Sequence, residues 1–86
     1  MYATMALGIL YHSMNNIPWY SEAALVSDVH VFCAGSLAQC VRKWRKLPEI
    51  EQNSTYIKLA QQFEGRKKLD REHLVMLATH QDLRNV

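Results

Sequence analysis

The 86-residue sequence has few of the residues that separate a chain into independent units, with only three Gly and two Pro. No Gly/Ser/Pro-rich linker and no internal repeat divides it, so we expect a single domain over residues 1–86. Long apolar runs are also missing. The N-terminal apolar stretch Met1–Tyr11 includes Thr4 and Gly8 and is shorter than the roughly 20 residues that a membrane helix needs. We therefore expect no membrane-spanning segment.

Positive charge is missing from the first part of the chain, because no Lys or Arg precedes Arg42. A secretory signal requires a basic segment before its apolar stretch, so the sequence predicts a cytoplasmic protein. Cysteine is scarce as well. In a reducing compartment, Cys33 and Cys40 are expected to be free, buried thiols and not a disulfide.

Motifs that carry catalysis or hold metals are not found either. The sequence has no Gly-rich phosphate loop, no paired carboxylates and no nucleophile with an identifiable base, so we expect no enzyme activity. Soft metal ligands occur, but their spacing matches no common zinc motif, and we expect neither a metal nor a cofactor. The ligands in question are His30, Cys33, Cys40, His73 and His80.

The charge that is present is distributed unevenly. Residues 1–41 hold 26 of the 42 apolar residues and only two charged residues, Glu22 and Asp28. Residues 42–86 hold all ten Lys and Arg and six acids, so the two parts carry −2 and +4. The modest total of +2 therefore conceals a basic second half, which is a candidate surface for a polyanionic partner.

Apolar spacing in the first part of the chain favours helices. The spacing predicts a buried helix over Met1–Met14. It also predicts a second helix that Ser21 can cap and that runs through Ala23, Ala24 and Leu25. Residues 26–33 are ambiguous, because Val29, Val31 and Cys33 alternate with polar or aromatic residues. Helix is the favoured interpretation of residues 26–33, and a short strand is the alternative.

The second part of the chain shows clearer helix signals. Leu37, Cys40, Val41 and Trp44 form an apolar stripe in a helix that Ser36 caps and Pro48 ends. A fourth helix is predicted over residues 53–63 and a last one after Asp70, as N-cap, with Leu69 and Leu74 as a hydrophobic staple. The predicted burial in the fourth helix comprises Tyr56, Leu59, Ala60 and Phe63. Together these signals predict an all-α fold, a compact bundle of four to five short helices.

A helix, a Gly turn and a basic amphipathic helix follow one another in this prediction. The stretch Ala34-Gly35-Ser36-Leu37-Ala38-Gln39-Cys40-Val41-Arg42-Lys43-Trp44 resembles the turn and recognition helix of the phage-repressor and Cro-like helix-turn-helix family. Leu47-Pro48-Glu49 and Ile57-Lys58-Leu59-Ala60-Gln61-Gln62-Phe63 are similar to its following loop and helix. The resemblance covers residues 24–75 and implies that the helix bundle contains a helix-turn-helix.

The resemblance also implies which residues meet double-stranded DNA. Ala38, Gln39, Arg42 and Lys43 occupy positions that face base edges, and Arg45 and Lys46 positions that face phosphates. With Ser36 at the start of the recognition helix, the predicted DNA-binding residues are Ser36, Ala38, Gln39, Arg42, Lys43, Arg45 and Lys46.

Two functions from different classes fit these features. The first is a small non-catalytic DNA-binding transcriptional regulator, forming a homodimer through its apolar N-terminal half. The second is a phage or mobile-element inhibitor of anti-defence type, which binds a host protein complex. A strand at residues 26–33 would remove the first helix of the DNA-binding motif, and the DNA-binding interpretation drawn from that motif should then be dropped.

Overall fold

The computed structural model describes residues 17–86 as a four-stranded antiparallel sheet covered on one side by helices. The predicted helix over Met1–Met14 lies outside the described residues. The strand order is β2-β1-β3-β4, which joins two hairpins through their first strands. In chain order the elements are β1 (Glu22–Val26), β2 (Val31–Ser36), α1 (Leu37–Lys46), α2 (Glu49–Ser54), β3 (Tyr56–Phe63), β4 (Arg66–Leu69), α3 (Arg71–Ala78) and a 3-10 helix (Gln81–Arg84).

In hairpin one, residues 22–36, the turn between the strands is stabilised by hydrogen bonds to the side chain of Ser27. The Ser27 hydroxyl accepts hydrogen bonds from the backbone N–H groups of Val29 (3.3 Å) and His30 (3.1 Å). The Ser27 N–H donates to the His30 carbonyl at 2.8 Å. A register shift follows between Leu25 and Val26. The short Ser side chain therefore organises a loop for which the sequence provides no glycine.

Hairpin two, residues 56–69, is closed by backbone conformation. Its two turn residues, Glu64 and Gly65, have φ of 53° and 77°, the left-handed pair that a two-residue type I′ turn requires. Glycine adopts this region without steric cost, so Gly65 allows β4 to turn back along β3.

Helices α1 and α3 begin where the sequence predicts. Ser36 caps α1 in a reciprocal capping box: its hydroxyl accepts from the Gln39 N–H (3.2 Å) and the Gln39 side chain accepts from the Ser36 N–H (3.0 Å). Asp70 is the N-cap residue of α3. Both helix starts are local features, and both predictions are confirmed.

The core lies between the sheet and helices α1 and α3. One face of the sheet is buried against the apolar stripe of α1 and the inner side of α3. The largest fully buried side chains are Leu25, Leu37, Cys40, Val41, Ile57, Leu69, Leu74 and Leu77. Four of these, Leu25, Leu37, Cys40 and Val41, come from the apolar first part of the chain, and their burial stabilises the fold.

The prediction of an all-α bundle containing a helix-turn-helix is wrong. Residues 26–33 form the end of β1, a turn and the start of β2, so the first helix of that motif is absent. The alternative left open for this segment, a short strand, is confirmed. The DNA-binding interpretation drawn from the helix-turn-helix motif is therefore dropped together with the motif. The predicted second helix after Ser21 is also wrong, because Ala23 and Leu25 lie in β1, a central strand bonded on both sides.

The predicted helix over residues 53–63 is wrong for the same reason. Asn53 and Ser54 end α2, and Tyr56–Phe63 form β3, which pairs with β1 and β4. Tyr56, Leu59 and Phe63 fit a helical spacing, but Ile57 and Leu59 also alternate with Tyr56 and Lys58, and non-local pairing selects the strand. None of the helices within residues 17–86 has the length and apolar character needed to cross a membrane.

Candidate nucleic-acid interface

The sheet has two unlike faces. Leu25, Ile57 and Leu69 are paired neighbours on β1, β3 and β4 and point to the helices, where each is at most 1% exposed. The next row across the sheet faces the other way, because side chains alternate along each strand. This row consists of Ala34, Ala24, Lys58 and Lys68. We call the side of the sheet that carries it the outer face.

Two lysines stand side by side on the outer face. Lys58 of β3 and Lys68 of β4 are direct cross-strand partners, and both are exposed. Side chains paired in this way start about 4.5–5.5 Å apart, and like charges at such positions destabilise a sheet. No Lys or Arg within residues 17–86 lies at ion-pair distance from an Asp or Glu side chain. The pair therefore presents uncompensated positive charge to solvent.

An aromatic ring fixes one of these charges. The Lys68 ammonium lies 4.2 Å from the centroid of the Tyr56 ring, a cation–π contact. Tyr56 precedes Lys58 by two residues on β3 and is half-buried. Because Lys68 covers the ring, Tyr56 holds a cation in place and does not offer a free surface on which a base could stack.

Next to the lysines, the outer face carries small side chains, and we call this part of the face the floor. Ala24, Ala34 and Ala60 line a shallow depression next to Lys58 on the three strands β1, β2 and β3. Glu22 is the acidic residue at its rim. Methyl side chains let a bulky partner approach the sheet backbone closely, so the outer face combines access with positive charge at one end.

The predicted DNA-binding residues of α1 are brought together on one helix, but several have structural roles. Ser36 and Gln39 bond to the helix's own first turn, and Ala38 is 1% exposed. Arg42 is half-buried and donates to the carbonyls of Leu83 (2.7 Å) and Val86. Gln39 is exposed although its side chain is hydrogen-bonded, and the exposed basic residues of the predicted set are Lys43, Arg45 and Lys46.

A second basic surface forms around the end of α1. Arg42, Arg45 and Lys46, at spacings of three and four residues, share one side of the helix and line a concavity with Leu83 and Arg84 of the 3-10 helix. We call this surface the helix-side concavity. It lies beyond the helix layer, on the opposite side of the domain from the outer face.

The two thiols do not form a reactive site. Burial, together with the neighbouring Cys33, raises the pKa of the Cys40 thiol to about 12. Cys40 is therefore protonated at neutral pH, a form that is neither a good nucleophile nor a metal ligand. Within residues 17–86, no group of three His, Cys, Asp or Glu side chains is arranged to hold a metal ion.

Lys58, Lys68 and Tyr56 are not among the residues predicted from the sequence. The signal that could have revealed them is the alternation Tyr56-Ile57-Lys58-Leu59-Ala60, with a Glu-Gly pair ahead of a second basic run at Arg66-Lys67-Lys68. This pattern is typical of a hairpin with one charged face.

Comparison of the chain with protein-family models, with curated protein sequences and with solved structures gives no match. The function of the protein is therefore inferred from its two basic surfaces.

Proposed function

We propose that this protein binds duplex DNA through the phosphate backbone, with the outer face of the sheet, including the outer face of hairpin two, as the contact surface. This surface is separate from the helix of the discarded helix-turn-helix motif. The observation that carries the proposal is the Lys58–Lys68 pair. It places like charges opposite each other at a cost to the sheet, with no carboxylate of residues 17–86 at ion-pair distance. A phosphate group would relieve that repulsion and release counterions from the DNA.

The dimensions of hairpin two support a duplex as the partner. A two-stranded antiparallel ribbon fits the roughly 12 Å wide major groove of B-DNA, and several known DNA-binding proteins contact a groove with strands. The ribbon of β3 and β4 ends in a tight two-residue turn, and Lys58 and Lys68 lie near its base. In this arrangement the outer face of the ribbon lies against the groove, Lys58 and Lys68 meet the phosphates, and Lys67 on the other side of β4 faces away from the DNA.

The side chains of the outer face are suited to contacting DNA phosphates and not to recognising the base sequence. Lysine contacts phosphate as a point charge, whereas base recognition uses planar, bidentate groups such as Arg, Asn and Gln. The floor of Ala24, Ala34 and Ala60 offers no hydrogen-bonding side chain. We therefore propose binding with little sequence preference. A role in transcription and the homodimer through the N-terminal half stay predictions.

The test is a salt titration of a fluorescent duplex, followed by anisotropy, with Lys58→Glu as the main variant. This substitution puts a carboxylate opposite Lys68. We expect roughly fivefold to tenfold weaker binding and a log K against log salt slope flatter by about 0.9 for the lost phosphate contact. Folding stability should stay equal or rise by a few tenths of a kcal/mol, because repulsion is replaced by attraction. If the variant lost binding because it unfolds, its free energy of unfolding would instead be lower than that of the unaltered protein.

Lys67→Glu is the matched control. Lys67 precedes Lys68 on β4, is exposed, and alternates onto the other side of the strand. It changes the net charge by the same amount, so a general loss of attraction would affect both variants equally. The proposal fails if the two variants bind equally, or if the unaltered protein shows no salt-dependent duplex binding. The second result would favour the alternative protein partner.

A further inference from the structure

We infer that the helix-side concavity is a second binding site for a DNA phosphate backbone, so that one copy of the protein bridges two duplex segments. The inference extends the proposed function and rests on it. Its starting point is the position of the concavity. The buried side of α1 packs on the inner face of the sheet, so its exposed side and the outer face point in opposite directions. A helix layer about 10–12 Å thick separates the two basic surfaces.

Arg42 builds this concavity from two separate elements. Arg42 lies near the middle of α1, and its guanidinium donates to the carbonyls of Leu83 and Val86, which lie on either side of Arg84 in the sequence. These bonds hold Arg84 of the 3-10 helix beside Arg45 and Lys46 of α1. Arg42 thereby also neutralises carbonyl groups that would otherwise repel an anion at this position.

Helix stability alone does not account for the charge collected here. Basic residues in the last turn of α1 interact favourably with the helix dipole, which gives Lys43, Arg45 and Lys46 a structural benefit. Arg84 belongs to a different element and receives no such benefit from α1, yet it lines the same concavity. Asp82, the acid of that 3-10 helix, does not line it and has its carboxylate 3.7 Å from His80.

The chemistry of the concavity suits phosphate oxygens. Arg45 and Arg84 are exposed and present planar guanidinium groups, which can donate two parallel hydrogen bonds to one phosphate. Lys46 adds a third donor on the same side of α1. A single duplex seated on the outer face cannot also fill this site, because the site faces away from it. A second duplex segment can.

The experiment is a duplex-capture assay. Biotinylated duplex on beads is mixed with protein and a fluorescent duplex, and the captured fluorescence is measured with protein below duplex concentration. We expect capture by the unaltered protein, and at least fivefold less capture with Arg45→Ala/Arg84→Ala. Both residues are exposed, so the fold should tolerate the double change. Lys43→Ala/Lys67→Ala removes the same charge outside both sites and should retain capture.

Two further readouts separate the possible failures. In the anisotropy assay, adding Lys58→Glu to Arg45→Ala/Arg84→Ala should weaken duplex binding by the same factor as Lys58→Glu does in the unaltered protein, because the outer face is intact. If the unaltered protein binds duplex but captures none, the second site is refuted and the proposed function stands. If it binds no duplex at all, the proposed function fails and this inference with it. Capture retained by Arg45→Ala/Arg84→Ala, with a native mass of two protein copies, would assign bridging to dimers and overturn the inference.

Discussion

The two hairpins of the sheet have the same topology and opposite character. Hairpin one contains no Lys or Arg, and Asp28 and Glu22 are its charged residues. Hairpin two contains Lys58, Arg66, Lys67 and Lys68 with a single acid, Glu64. The charge imbalance along the chain thus becomes an imbalance across one sheet. Hairpin one supplies Ala24 and Ala34 together with two acids, and hairpin two supplies the positive charge, so a polyanion is expected to bind asymmetrically.

Loss of core packing where the hairpins join should have the largest effect. Ile57 is fully buried and pairs with Leu25 of hairpin one and Leu69 of hairpin two. Ile57→Ala should lower the free energy of unfolding by about 2–5 kcal/mol, measured by urea denaturation, because it leaves a cavity under both hairpins. Ile50→Ala, at a site 79% exposed, is the matched control and should change it by less than about 0.5 kcal/mol. Equal losses would disprove a shared core.

The turn of hairpin two tests whether backbone conformation closes it. Gly65→Ala introduces a Cβ at φ 77°, where nothing lies within 4 Å, so the cost is conformational and not a clash. We expect a loss of about 1–2 kcal/mol in the same denaturation experiment. Gly65→Asn should recover part of it, because Asn tolerates the left-handed region. If Ala and Asn behave alike, the turn is not of type I′.

The turn of hairpin one tests the contrasting mechanism. Ser27→Ala removes the hydroxyl that accepts from Val29 and His30 and should cost about 0.5–1.5 kcal/mol. Ser27→Thr, which keeps the hydroxyl, should cost less. Duplex affinity should not change in either variant, because hairpin one lacks basic residues. A weaker affinity at unchanged stability would contradict the division of roles between the hairpins.

The parts of the fold that could be predicted from the sequence are those determined locally. The capping box of Ser36 and Gln39 defines the start of α1 within four residues. Asp70 occupies the N-cap position of α3, although its side chain makes no capping hydrogen bond. The strands depend on partners far along the chain. Ala23 and Leu25 favour a helix in isolation, and it is pairing with β2 on one side and β3 on the other that makes them a strand.

The candidate site argued from the structure differs from the one predicted from the sequence, because a sequence pattern does not show which side chains are exposed and which are already hydrogen-bonded. Arg42 looks like the centre of a basic helix face, yet its guanidinium is occupied by carbonyls 41 and 44 residues away. Lys58 and Lys68 are ten residues apart; Lys58 belongs to a predicted helix, and Lys68 lies between that helix and the next one. Their side-by-side placement therefore follows only from the register of β3 and β4.

The strand order has a consequence for how copies of this domain meet at high concentration. β2 and β4 are the two edges of the described sheet, and an edge strand can pair with a neighbouring molecule. β4 is protected by its run of Arg66, Lys67 and Lys68, which repels a second copy of itself. β2 has the neutral sequence Val-Phe-Cys-Ala-Gly-Ser and begins with Val31, which is 67% exposed. The same charge asymmetry therefore leaves β2 as the edge from which self-association would start.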